Sequence, residues 1–254
     1  MKIKNKILAV IIIVFLLNIV VISSIWYIVS SRTADTYLKD ISDSTMTDAC
    51  HAFEYLLTDT SYMASLISLN DTNIVQPIRE LNKRSVMKNG QWNQEYLNNK
   101  RLIEKYIRGL NGYKYYIVGI TVIANENCIF SSSHIMQNEN EIYQEIIKLD
   151  QEALQKKIVM LDPIHIDGGK STYSSDYVVP AVKGITDYKK NIIGYTIVYF
   201  DYGVIEDMFS ANLPEGSYFQ VINENGSLIF SNCGNVLLDD TKPSKDLVYN
   251  SFKS

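Results

Sequence analysis

The sequence is short of the residues that most protein chemistry uses. Three Cys and three His are spread over 254 residues, with five Pro and twelve Gly. Cys50, Cys128 and Cys233 are odd in number and contain no Cys-x-x-Cys, so they are not the framework of a small disulfide-stapled domain and read as idle thiols. His51, His134 and His165 show neither His-x-x-x-His nor Glu-x-x-His spacing, and no metal site is expected. Gly-x-Ser-x-Gly and a phosphate-cradling glycine loop are both absent, and Asp167-Gly-Gly-Lys170 reads as a solvated turn. No catalytic residue and no cofactor are therefore expected, and the chain as given does not read as an enzyme. Basic charge is scarce too. Apart from Lys2, Lys4 and Lys6, which precede the first apolar run, 21 basic residues stand against 28 acidic ones. An acidic body without a basic stripe excludes nucleic acid as a partner.

What the chain does have is one long apolar run. Ile7–Val29 spans 23 residues without a charge. At a rise of 1.5 Å per residue this is about 35 Å, enough for a hydrocarbon core of about 30 Å. Trp26 and Tyr27 stand near its far end, where aromatic rings favour the interface. Basic residues come before it, and Asp35, Asp40 and Asp43 follow soon after. That asymmetry sets residues 1–6 in the cytoplasm, 7–29 in the membrane and the body outside the cell. A cleaved signal peptide is the competing reading, but its apolar core would be shorter and end in small residues.

Residues 30–70 contain no Pro and no Gly. Ala34, Leu38, Ile41, Thr45, Ala49, Ala52, Leu56, Thr60, Met63 and Ile67 recur at steps of three and four, the spacing of one face of a nearly straight helix. A helix of about 38 residues within Ser30–Ser68 is about 57 Å long and reads as a stalk continuous with the span. Two helices broken near Thr45 are the alternative. The apolar face could pack on its own domain or form a homodimer with a partner stalk. Beyond it, helices are expected at 74–87, 94–110, 139–157 and 202–209, hairpins at 115–132 and 176–200, and a short strand at 158–161. Asp162–Ser175 is expected to be a loop and Asn212–Gly216 a linker.

About ninety-nine residues apart the chain writes nearly the same hairpin twice. Val122-Ile-Ala-Asn-Glu-Asn-Cys-Ile-Phe-Ser131 is echoed by Val221-Ile-Asn-Glu-Asn-Gly-Ser-Leu-Ile-Phe-Ser231. The Asn-rich turns supply the φ > 0 positions that tight hairpins need. Either two related modules stand in tandem or two Asn-rich turns agree by chance.

The order of elements, with Tyr177-Val-Val-Pro-Ala-Val-Lys183 followed by Ile192-Ile-Gly-Tyr-Thr-Ile-Val-Tyr-Phe-Asp201, resembles the double-Cache sensor regions of bacterial membrane receptors, most of all those of Gram-positive sensor histidine kinases. The resemblance implies an α+β fold: an N-terminal transmembrane helix, a long stalk helix, a PAS-like antiparallel-sheet Cache module at 71–210, distal to the membrane, and the start of a second, proximal module at 211–254. It implies ligand sensing in a two-component signalling system. Chemoreceptors and membrane-bound transcriptional regulators carry the same kind of sensor. A surface-anchored binding protein without output is a rival of another class. A complete receptor would continue past Ser254 into a second span and an output domain, so an excerpt or truncated product is expected.

In amino-acid-binding members of that family an acidic residue near the end of this strand holds the ligand's ammonium, and Asp201 matches it. The family's Arg-x-Trp-Tyr signature is missing, its nearest counterpart being Glu141-Ile-Tyr143. Alternation puts Tyr195 and Tyr199 on one face of their strand and Thr196, Val198 and Phe200 on the other. A small-molecule site is expected between the strands of Tyr177 and Tyr199 and the loop 162–175, drawing on Tyr173, Asp176, Tyr177, Tyr199 and Asp201. The partner could equally be a ligand-binding protein. Asp201 could instead cap the helix that follows.

Overall fold

In the computed structural model, residues 3–83, 87–88, 91–133, 139–166, 177–210, 220–222 and 228–231 are described. With neither Pro nor Gly to interrupt it, the N-terminal segment is a single helix, α1, Ile3–Ser68, of 66 residues, about 99 Å long. Its described side chains from Ile11 to Val29 are all exposed. Its last third is covered: Ala49, Leu56, Thr60, Met63 and Ile67 are buried, five members of the expected stripe. The break near Thr45 does not occur. Asn70 ends the helix, its side chain accepting the N–H of Asn73.

A π-helical turn, Asp71–Val75, leads into α2, Gln76–Lys83. The helix expected at 74–87 is therefore shorter, and Met87 lies in a two-residue strand, β1, Met87–Lys88, paired with β2, Gln91–Trp92. Ile78 and Leu81 are buried, and three and four residues after Leu81 the sequence has Arg84 and Ser85. The apolar stripe simply runs out. Helix α3, Gln94–Asn111, is capped by Asn93, whose side chain accepts from the Glu95 N–H.

The body is an antiparallel sheet. Strands β3, Ile117–Asn125, and β4, Cys128–Ser131, form the first hairpin. The helix expected at 139–157 is two helices, α4, Glu139–Ile146, and α5, Gln151–Lys156. The side chains of Asp150 and Gln151 make the break. Asp150 accepts the N–H groups of Glu152 and Ala153, while Gln151 Nε2 donates to the carbonyls of Ile146 (3.2 Å) and Leu149 (3.0 Å). One side chain starts a helix and its neighbour closes the previous one. The short strand β5, Val159–Met160, is as expected, whereas β6, Ile164–His165, falls inside the expected loop. Both pair with β7, Tyr177–Thr186, which is joined by a tight turn to β8, Ile192–Asp201. The order across the sheet is β4-β3-β8-β7-β5, with β6 also on β7. Gly194 lets β8 lie close to β3: a Cβ there would stand 2.5 Å from the Ile123 carbonyl oxygen.

Strand alternation divides the core in two. Val179, Ala181, Ile185, Val198 and Phe200 face one way, into the cluster that includes the last third of α1, with α2 and α3. Val178, Val182, Ile197 and Tyr199 face the other way, under Ile142 and Ile146 of α4 and Leu154 of α5. Helix α6, Tyr202–Ser210, follows β8 directly. A second hairpin, β9, Gln220–Ile222, and β10, Leu228–Ser231, is a sheet of its own. Val221 pairs with Phe230 in it as Val122 pairs with Phe130 in the first. The expected linker at 212–216 lies outside the described residues.

Candidate functional site

Strand β8 runs through the middle of the sheet and delivers Tyr199 and Asp201 to the outer face, away from α1. Tyr199 is 1% exposed and Asp201 7%. The Asp201 carboxylate accepts the Gly203 N–H at 2.9 Å, a bond local to the start of α6, so the capping role expected as an alternative is present. The backbone of Asp201 is tied as well, its N–H donating to the Tyr116 carbonyl at 3.0 Å.

Tyr177 belongs to the other face. In the register Val178 stands opposite Asp201 and Pro180 opposite Tyr199, which leaves Tyr177 half-buried against the α1 side. Its ring lies 5.2 Å from His165 and 6.0 Å from Tyr202. The structure thus sets Tyr199 and Asp201 on one face of the sheet and Tyr177 on the other. Tyr173 and Asp176 lie outside the described residues, as does most of the expected lid.

Three features of the site escaped the sequence reading. The first is a polar knot between the sheet and α1. The Tyr116 hydroxyl donates to Asp59 Oδ2, and Lys114 Nζ lies 3.0 Å from the same oxygen. The Tyr116 hydroxyl, with Lys114 beside it, holds the Asp59 carboxyl below the usual carboxylate range. Burial, then the bond to Asp59, pushes the Tyr116 hydroxyl well above the ordinary tyrosine value. The same carboxylate raises Lys114. A lone acid beside a buried helical stripe and a Tyr-Lys-Tyr-Tyr run ahead of a strand were the available signals, yet nothing in a spacing rule joins residues 57 apart.

The second is an aromatic run. Tyr202 packs on Phe230 at 4.8 Å, Phe230 on Phe209 at 6.2 Å, and Phe209 on Phe53 of α1 at 5.9 Å. The Tyr202 hydroxyl also accepts the Ser231 N–H at 3.1 Å and reaches the Ser231 carbonyl at 3.3 Å, clasping the second hairpin. The third is a half-buried polar spot between sheet and helix. Lys183 Nζ donates to Ser65 Oγ of α1 at 3.0 Å, and burial pushes its ammonium down from the usual lysine value. Thr196, opposite Lys183 in the register, has a buried hydroxyl with no partner among the described residues.

On the outer face, Tyr195 donates to Gln151 Oε1 at 2.8 Å and meets the Tyr143 ring at 6.3 Å. The hydroxyl is raised by burial. Among the described residues no three His, Cys, Asp or Glu side chains are placed to hold a metal ion. On this face a buried carboxylate, Asp201, and the hydroxyls of Tyr195 and Tyr199 stand beside aromatic surface.

No protein-family model matches the chain, and no curated protein matches it. Similar solved structures exist at low identity. The sensory domain of the Campylobacter jejuni chemoreceptor Tlp3 with isoleucine bound is 15% identical over 80% of this chain and 74% of that one, with a TM-score of 0.48. The sensor domain of the V. cholerae histidine kinase DctB is 15% identical over 78% and 67%, with a TM-score of 0.47. The ligand-binding domain of the Pseudomonas aeruginosa PAO1 amino acid chemoreceptor PctC in complex with GABA is 10% identical over 79% and 77%, with a TM-score of 0.44.

Proposed function

We propose that this chain is the extracytoplasmic ligand-sensing region of a transmembrane receptor of the double-Cache kind, with a sensor histidine kinase as its output. The observation that carries the reading is α1. One unbroken helix joins an uncharged segment of spanning length to the inner face of a sheet whose outer face presents Asp201 and Tyr199. A helix of this kind can carry a displacement from outside the membrane to inside, because it has no joint at which to lose it.

The ligand is a small molecule bound on the outer face near the end of β8. Movement there has a route inward. The Asp201 N–H is bonded to the Tyr116 carbonyl, and the Tyr116 hydroxyl is bonded to Asp59 on α1. The shared Val–Phe register of the two hairpins supports a second module beginning after Ser210. Chemoreceptors and membrane-bound regulators would use the same sensor. A kinase core with a phosphoacceptor His, a long methylated coiled coil or a helix-turn-helix in the complete gene product separates the three.

A ligand screen by thermal shift on the chain in lipid nanodiscs tests the reading. Binding at a hundredfold excess over Kd stabilises by about 2.7 kcal/mol. Asp201→Asn keeps an acceptor for the Gly203 N–H while removing the charge, so it separates recognition from capping; Asp201→Ala would confound the two. A hit whose shift disappears in Asp201→Asn and persists in Tyr177→Phe fits the outer-face site. A hit indifferent to Asp201→Asn places the ligand elsewhere. Protease added to intact cells should digest the body, and a body that survives contradicts the topology.

A further inference from the structure

Asn18 lies at the middle of the uncharged segment Ile7–Val29. On the membrane reading proposed above, on which this inference rests, that is the bilayer midplane. Its Nδ2 donates to the Val14 carbonyl at 2.9 Å. The other N–H and the Oδ1 have no partner among the described residues, and the side chain is exposed on the helix. Hydrocarbon offers no water to such a group, and leaving an amide unpaired there is costly.

Ile11, Val14, Asn18, Val21, Ile25 and Ile28 follow one another at alternating steps of three and four. Every member but Asn18 is β-branched, and all are exposed. This is a heptad seam with one polar residue at a core position, the device by which paired helices fix their register. Farther along the helix the sheet of the same chain covers Ala49, Leu56, Thr60, Met63 and Ile67. Nothing in the described chain covers the membrane seam.

We propose that the seam pairs with the same seam of a second copy, Asn18 against Asn18. The amide is electrostatically self-complementary: it carries a positive N–H edge and a negative oxygen. Two copies inserted in the same direction bring both amides to one depth. About a twofold axis each Oδ1 then accepts from the other's free N–H, and both unpaired groups are satisfied together.

The full chain in lipid vesicles tests this. Flotation comes first. A chain that does not float with the vesicles overturns both the membrane reading and the pairing. For a chain that floats, association is measured by energy transfer between labelled copies on dilution into excess lipid. Asn18→Leu should weaken it about 3- to 20-fold, the range expected for an interhelical hydrogen bond in a membrane. Asn18→Gln should restore most of it, and Leu16→Ala, off the seam, should change little. In a chain carrying Cys50→Ala, Cys128→Ala and Cys233→Ala, single cysteines placed at Val14, Val21 and Ile25 should cross-link between copies, and those at Leu16, Val20 and Ser23, on the opposite face of the helix, should not. A floating chain that stays monomeric, associates equally well with Asn18→Leu, or cross-links best off the seam overturns the pairing and leaves the membrane reading intact. So does a seam found occupied by another span.

Discussion

The two faces of the central sheet are covered in opposite ways. Over the inner face lie α2, α3 and the end of α1, which is one rigid element with further polar ties through Asp59 and Ser65. Over the outer face lie separate short pieces, α4 and α5 among them, of eight residues and six. A long helix moves as a whole, whereas short segments joined by turns can shift one at a time. Recognition therefore suits the outer face, where a ligand can rearrange its surroundings cheaply. Transmission suits the inner face, where any movement must be shared by the whole helix.

The largest expected effect comes from loosening the inner face. Phe200 is fully buried there, beside Tyr116 at 6.4 Å. Phe200→Ala should cost about 3–5 kcal/mol in urea unfolding. Hydrogen exchange should then speed up most at the α1 amides between Leu56 and Ile67, with less change in α4. Equal loosening on both sides would erase the proposed difference between the faces. Next is the strand that separates them. Gly194→Ala forces a methyl against the Ile123 carbonyl and should cost about 1–3 kcal/mol. The shift should register on both faces, because β8 serves both.

Much of this architecture was legible in advance, and the failures have physical causes. The continuity of α1 followed from the absence of Pro and Gly, and the hairpins from their turns. The break at Asp150 was missed because no glycine or proline marks it; an Asp cap and a neighbouring Gln make it instead. The placing of the candidate residues on the two faces was hidden for a different reason. Alternation places residues on the faces of one strand, but the register between strands decides which residues of two strands share a face. Tyr177 and Tyr199 are on different strands, and Val178, not Tyr177, stands opposite Asp201. No local pattern carries that information, nor the bond between Asp59 and Tyr116.

At the junction of the faces the expected changes are smaller. Asp201→Ala should cost about 1 kcal/mol through the lost bond to Gly203, and Asp201→Asn less. Both should leave exchange at α1 nearly unchanged, because the tie from Asp201 to Tyr116 is made by backbone. Faster exchange along α1 in Asp201→Asn would mean that the side chain itself contributes to inner-face packing.

The smallest effect at neutral pH is expected for Asp59→Asn, whose amide oxygen still accepts from Tyr116 while Lys114 loses only a solvent-screened ion pair. Its value lies in the pH dependence. The Asp59 carboxyl titrates lower in the fold than in the unfolded chain, mainly because Tyr116 donates to it. A depressed carboxyl contributes stability in full above its unfolded value, about 3.9, and loses that contribution as pH falls through the lower folded value. Lys114 is raised, so its contribution is full below about 10.4 and is lost as pH rises through the folded value. The stability difference between the natural chain and Asp59→Asn should therefore form a plateau from about pH 5 to pH 9 and decline on both sides. Measured by urea unfolding across that range, a difference that stays flat down to pH 2 would show that no charge-dependent bond ties α1 to the sheet at this point. The route from Asp201 to the helix would then lose its last charged step, leaving packing and the bond from Lys183 to Ser65 to hold the inner face.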